Sequence, residues 1–252
     1  MTKTNPRLSI ITICYNQPDI EQTCQSVINQ SWRDFEWIVI DGGSTDGTLE
    51  ILKKYKDKIT KLVSEKDNGR YNAMNKGIRL CSGDFISFLN GGDSYFDNDA
   101  LKNVFEKNEY NECVLYGNVL IMQSENTLSE NNNIRKLPEK LPKDFFVYDC
   151  ICHQSTFISK SLFDKYGLYD ETYQIISDRE KWLLFTKNNV EFRYIDLTIS
   201  NFKNDGISSL EKHQKLYKKE RRKILSNYYP KSHRFKTKLK KILTLLKYCI
   251  LN

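Results

Sequence analysis

The chain has 252 residues, 39% of them hydrophobic and 28% charged, with a formal net charge of +7. A chain of 29.7 kDa buries roughly 70% of its unfolded surface, so folding needs neither disulfides nor a structural metal, and the composition excludes a disordered or membrane-embedded main state. The charge is uneven: Arg221 to Asn252 holds ten basic residues and no acid, which leaves 29 basic residues against all 32 acids in residues 1–220, a net of −3.

Short apolar runs alternate with helical patterns through the first half. Strands are predicted at Leu8–Cys14, Phe35–Ile40, Thr60–Val63 and Phe85–Leu89, with helices near Ile20–Gln30, Thr48–Lys56 and Tyr71–Leu80 between them. Such alternation, with nearly continuous apolar strands, points to an α/β fold with a mostly parallel sheet flanked by helices. A weaker strand follows at Val114–Met122. The polar, Asn-rich stretch Gln123–Lys143, with Pro138 and Pro142, reads as a mobile loop. Ser155–Ser159 reads as a strand, Ser161–Tyr166 and Asp178–Lys187 as helices, Phe192–Ile199 as a late strand, and Leu210–Tyr228 and Lys231–Leu251 as closing helices. No apolar run is long enough to span a bilayer, and the one after Met1–Arg7 is too short for a signal peptide. Seven scattered cysteines without a CxxC pair fit buried thiols in a reducing cytoplasm.

Open α/β sheets bind ligands at the carboxyl ends of their strands. Here four successive strands end in polar residues: Tyr15-Asn16, Asp41-Gly42-Gly43-Ser44-Thr45-Asp46-Gly47, Glu65-Lys66-Asp67-Asn68-Gly69 and Asn90-Gly91-Gly92-Asp93. Turn chemistry explains any one of these; four together indicate a site. Neither GxGxxG nor GxxxxGK[ST] occurs, which removes the dinucleotide fingerprint and the P-loop. A nucleotide held by side chains remains, and carboxylates facing its diphosphate call for a divalent cation between them.

The run Ser9–Asn16 followed by Ile40–Thr48, then Glu65–Gly77, then Ser82-Gly83-Asp84 and Phe88–Asp93, resembles glycosyltransferase family 2. The likeness extends over about residues 8–208. It implies an inverting enzyme of the GT-A fold, a Rossmann-type sheet, working on a nucleotide-sugar donor, most simply a UDP-sugar. By that resemblance Asp41 accepts a hydrogen bond from the donor base, and Thr12, Tyr15 and Asn16 line base and ribose. Asp67, Asn75, Asn90 and Lys203 belong to the donor side, and Asp93 ligates Mg²⁺ or Mn²⁺. Asn90 and Gly92 stand where family members often carry acids, so one carboxylate ligand remains. Asp67 also fits a plain turn residue, and Lys203 a surface lysine. Ile176-Ser177-Asp178-Arg179-Glu180-Lys181-Trp182 resembles the family's stretch ending in E-D-x-x-x-W, making Asp178 the base that takes the acceptor proton. An N-cap is the other reading of Asp178, and Ser177 replaces the family's auxiliary Glu. His153, in Cys152-His153-Gln154, reads as a polar residue near the acceptor or as a satisfied core histidine.

Phe235, Leu239, Ile242, Leu246 and Cys249 form one helical stripe among lysines, a basic amphipathic tail suited to an anionic membrane surface or to packing on the domain. No module or aromatic platform supports nucleic acid as a partner. The expected organisation is a GT-A-like domain over residues 1–209, with a nucleotide-binding half of about 1–122 and an acceptor-side half of about 144–209, then a basic helical tail over 210–252. The expected activity is sugar transfer to a hydroxyl of a saccharide or lipid-linked saccharide in glycan synthesis, at the cytoplasmic face of the membrane. A non-catalytic sugar-nucleotide-binding relic of the fold and a glycoside hydrolase, which would also use paired carboxylates, are the alternatives.

Overall fold

Leu8–Cys14 (β1) is apolar along nearly its whole length because it lies inside a sheet with both faces covered. In the computed structural model, which describes residues 5–122, 133–203 and 213–232, β1 leads into α1 (Ile20–Ile28), β2 (Phe35–Asp41), α2 (Thr48–Lys54), β3 (Lys61–Ser64), α3 (Arg70–Leu80) and β4 (Phe85–Phe88). The second half adds β5 (Ser94–Tyr95), α4 (Ala100–Phe105), β6 (Val114–Met122), β7 (Asn133–Arg135), α5 (Phe145–Tyr148), β8 (Thr156–Ser159), α6 (Lys160–Tyr166), α7 (Ser177–Lys187), β9 (Phe192–Lys203) and α8 (Gln214–Tyr228).

The sheet runs β3-β2-β1-β4-β8-β6-β9-β5, with β7 paired to β6. Its first four strands are parallel, as the alternation of strands and helices requires, and so are β6 and β9. Antiparallel pairs join β4 to β8, β6 to β8, β5 to β9 and β7 to β6, so the sheet as a whole is mixed. Alternate side chains feed two cores. Ile11, Ile38, Ile40 and Phe88 face one; Leu8, Ile10, Trp37 and Val39 face the other.

Four helices and strands were not expected from the sequence, the two-residue β5 among them. β7 occupies residues 133–135 inside the stretch read as a loop, where Ile134 and Asn133 find ladder partners on β6. Residues 123–132 of that stretch lie outside the described residues. The others, α4 and α5, are a six- and a four-residue helix, too short to show a period. Near the chain end, α8 buries Ile224 and Leu225 in the same core as α7, so residues 214–228 pack on the domain rather than standing off it. The stripe from Phe235 to Cys249 lies outside the described residues, and among those described no helix is long and apolar enough to cross a membrane.

The start of the parallel set is pinned by a buried polar knot. Glu36 accepts hydrogen bonds from the Ser9 hydroxyl (2.7 Å) and from the Ser82 amide and hydroxyl, while the Gly83 amide donates to Ser9 Oγ at 2.9 Å. A Cβ on Gly83 would fall 2.7 Å from the Ser9 backbone nitrogen and 2.8 Å from the Leu8 carbonyl carbon, and main chain cannot step aside as a side chain can. Gly83→Ala should therefore destabilise the protein by about 1–3 kcal/mol. Urea unfolding checks this: the midpoint falls with the slope unchanged, and a midpoint equal to wild type would show that the β1–β4 contact yields freely.

Candidate active site

Cys14, Asp41 and Ser64 stand side by side in register at the ends of β1, β2 and β3. The loops that follow therefore leave the sheet at one edge. Asp41 itself is fully buried: it accepts from the Ser44 amide and hydroxyl and, at 2.6 Å, from Ser64 Oγ. These bonds fold the turn 42–44 back over the strand end. Asn16, held at a left-handed φ of 47°, donates its amide to Ser44 Oγ (2.8 Å) and accepts from the Thr45 amide (2.9 Å), tying the first loop to the second. The result is a fixed platform from which Tyr15 projects 63% exposed. A Cβ on Gly42 would meet Asp67 Oδ2 at 3.1 Å and Tyr15 at 3.3 Å, so the missing side chain keeps the gap between those two open.

A cavity of about 970 Å³ opens over this edge. Tyr15, Asp67, Asn90, Asp93 and Lys203 line it, together with His153, Ile175, Asp178 and Arg179. Asp178 sits in the first turn of α7, and its carboxylate is surrounded by donors. Oδ1 accepts from the Arg179 amide at 2.8 Å and lies 3.2 Å from the Tyr71 hydroxyl; Oδ2 lies 3.3 Å from His153 Nδ1. Asn90 Nδ2 donates to His153 Nε2 at 3.0 Å, which leaves the ring proton on Nδ1, facing Asp178. Burial opposes ionisation of Asp178, but the hydrogen bond from His153, the Arg179 amide and nearby Arg70 outweigh it, and the carboxyl sits below its ordinary value. Two thiols also line the cavity; burial pushes Cys152 up to about 12 and Cys150 up as well, so neither is a thiolate nucleophile at neutral pH.

Asp93 also lines the cavity and is buried, with Oδ2 accepting from Gln154 Nε2 at 2.8 Å and Oδ1 lying 3.3 Å from the Lys203 amide. Asn90 Oδ1 is buried and has no hydrogen-bond partner among the described residues. An orphaned carbonyl oxygen in the same motif as a carboxylate is a hard-oxygen donor set, which fits Mg²⁺ or Mn²⁺. Among the described residues no three His, Cys, Asp or Glu side chains converge, so protein alone supplies too few charged ligands for a closed cage.

The cavity thus brings together Tyr15, Asp67, Asn90, Asp93, Lys203 and Asp178. It does not bring in Thr12, Asn16, Asp41 or Asn75. Thr12 is buried and accepts from Trp37 Nε1 at 3.0 Å. Asn75 is buried in α3, bonded to the Tyr169 main chain and to Glu171. Asp67 pairs with Lys76 at 2.7 Å and Lys203 with Asp19 at 2.6 Å. Tyr71 lies against Asp178 and Gln154 donates to Asp93, and neither was singled out as a site residue in the sequence. A tyrosine in a helix and a glutamine beside a 3₁₀ turn carry no periodic signal, and only the likeness of Cys152-His153-Gln154 to an H-Q segment pointed near them.

Comparison with known proteins agrees with this geometry. Residues 9–167 match the family described as Glycosyl transferase family 2. The chain belongs to that family. A PGL/p-HBAD biosynthesis glycosyltransferase of Mycobacterium bovis is 27% identical over 208 residues, covering 80% of this chain and 78% of the relative. Among solved structures, S. aureus TarS 1-349 in complex with UDP-GlcNAc superposes with a TM-score of 0.65 at 18% identity, over 90% of this chain and 69% of that one. Mannosyltransferase PcManGT from Pyrobaculum calidifontis, in complex with GDP-Man and Mn²⁺, gives 0.57 at 16% identity, over 79% and 57%. The GT-A-type α/β fold expected from the sequence is the fold observed, and the protein is a glycosyltransferase.

In this family 2 member the depressed pKa of Asp178 has a consequence for pH. With the folded value below the unfolded one of about 3.9, ionisation stabilises the fold above the unfolded pKa, and that share is lost as pH falls through the lower folded value. The same carboxylate is ready to accept a proton throughout the neutral and mildly acidic range. His153→Leu removes the main opponent of the burial penalty, so the acid limb of kcat should move to higher pH and turnover at mildly acidic pH should fall. A pH–rate profile measures this; a limb in the same place in both proteins would detach His153 from Asp178.

Proposed function

We propose that the protein is an inverting glycosyltransferase that moves a sugar from a nucleoside-diphosphate donor, a UDP-sugar, to a hydroxyl of a saccharide or lipid-linked saccharide in glycan synthesis. The observation that carries this reading is one cavity lined both by the platform residue Tyr15 and by the ionised carboxylate of Asp178. Tyr15 offers a ring to stack the base, and the turn organised by Asp41 sets the main chain beside it. Lys203, Lys66 and Arg70 line the same cavity and supply positive charge for a diphosphate. The printed ligands of the structural relatives, UDP-GlcNAc in one and GDP-Man with Mn²⁺ in the other, support a nucleotide sugar and a divalent cation here.

Asp178 takes the acceptor proton as the hydroxyl attacks the anomeric carbon from the face opposite the leaving diphosphate. The Arg179 amide and His153 Nδ1, which donate to it, keep the carboxylate charged until that moment. Asp93 and Asn90 Oδ1 would hold the divalent cation, which supplies neutralisation of the charge developing on the diphosphate. The basic residues from Arg221 onward support an acceptor presented at an anionic membrane surface, and co-sedimentation with anionic vesicles tests that part.

Asp178→Asn should leave UDP affinity near wild type and lower kcat by about 10²–10⁴, the usual cost of losing a general base. Asp93→Ala should weaken Mn²⁺-dependent UDP binding and leave uridine binding unchanged. Titration calorimetry and a donor-sugar turnover screen measure both, and wild-type turnover by Asp178→Asn would refute its role. A second reading, a sugar-nucleotide-binding relic, draws on Asn90, Gly92 and Ser177 standing in place of acids. UDP binding without turnover of any sugar nucleotide would select it.

A further inference from the structure

Helix α7 begins without a side-chain cap, because the residue at its N-cap is Ile176. Main-chain amides ahead of a helix normally find a Ser, Thr, Asp or Asn oxygen nearby in sequence. Here the acceptor comes from the chain end. The carboxylate of Glu220, in the middle of α8, takes the Gln174 amide on Oε1 (2.7 Å) and the Ile175 and Ile176 amides on Oε2 (3.0 and 3.3 Å). Glu220 is only 6% exposed, and among the described residues it forms no salt bridge. A buried charge met by three consecutive amides is a main-chain anion nest closed by the protein's own side chain.

On the other edge of the same segment, the Tyr71 hydroxyl donates to the Ile175 carbonyl at 2.8 Å and lies 3.2 Å from Asp178 Oδ1. The three residues before α7 are therefore gripped from both sides, by α8 on their amides and by α3 on a carbonyl. Two further contacts tie α8 to the same wall: Arg221 donates to the Val147 carbonyl, and Arg179, the neighbour of Asp178, donates to the Tyr217 hydroxyl at 3.3 Å. Tyr217 itself lines the cavity.

We propose that Glu220 is a positioning residue for the reaction: it anchors Gln174–Ile176 and so fixes where Asp178 stands at the start of α7. This rests on Asp178 being the base. The C-terminal helix is then part of the acceptor-side machinery, although it lies beyond the stretch that matches the family. A displacement of the base by about 1 Å costs on the order of 10²-fold in rate, so a substitution that lets the segment shift should act on kcat and spare the donor platform on the opposite wall.

The test uses the full chain, UDP as binding probe, and whichever sugar nucleotide the donor screen finds turned over. Glu220→Gln puts an amide N–H where an acceptor is needed. It should lower kcat about 10- to 100-fold with UDP affinity unchanged, and speed hydrogen exchange at the Gln174–Ile176 amides but not in β1. Glu220→Asp, which keeps the charge on a shorter arm, should recover part of the loss. The deciding variant is the double substitution. If Glu220 acts through Asp178, adding Glu220→Gln to Asp178→Asn slows turnover no further. If the double variant is slower by the full factor of Glu220→Gln alone, Glu220 serves the fold only and the proposal falls. A wild-type rate for Asp178→Asn overturns the base assignment first. A wild-type rate for Glu220→Gln alone, with Asp178→Asn slow, overturns only the role of Glu220.

Discussion

A carboxylate taken out of bulk water keeps its charge only where hydrogen-bond donors replace the lost hydration, and the acceptor side of this protein is arranged to meet that condition for Asp178. Its polar neighbours come from separate elements: the Tyr71 hydroxyl, which gives its proton to the Ile175 carbonyl, from α3, His153 from the 3₁₀ turn before β8, and the Arg179 amide from α7. No short peptide could assemble them. The sheet order, which sets β8 beside β4 and leaves α3 packed on β1 and β2, is what lets residues 82 and 107 positions apart in the chain meet at neighbouring points of one wall.

The donor wall obeys a different constraint. Parallel strands in strict register end together, so the loops after Cys14, Asp41 and Ser64 emerge at one level. Asp41 then spends its charge inside the turn, and Asn16 ties two turns together. The two walls are not independent. Asn90, in the same loop as Asp93, donates to His153, which in turn contacts Asp178. A hydrogen-bonded path therefore runs from the Asn90–Asp93 loop to Asp178.

Much of this was legible in the sequence, and the reason is period and register. The runs of β1 and β6 were read to the residue, and those of β2, β3 and β4 to within one. Strands buried on both faces leave continuous apolar runs, and their polar ends mark the edge where a ligand sits. Legibility failed where a partner rather than a pattern decides structure. β5 is two residues long and exists because β9 extends to Lys203 to pair with it. α8 falls in the stretch read as a basic helical tail, with membrane contact and packing on the domain both open, and Ile224, Leu225 and Glu220 decide where it docks. In the site, the sequence pointed to Asp178 and Asp93, and to Asn90, His153 and Lys203 near them, but not to Tyr71. The side chains that tune a carboxylate come from distant positions and obey no spacing rule.

The central claim is that one carboxylate, Asp178, faces the donor across the cavity and activates an acceptor for direct displacement at the anomeric carbon. The anomeric configuration of the product tests it most directly, followed by proton NMR during turnover of an α-linked nucleotide sugar. A single in-line displacement gives a β-linked product from the first turnover. An α-linked product would require a second displacement or a front-side attack, and would contradict the role assigned to Asp178.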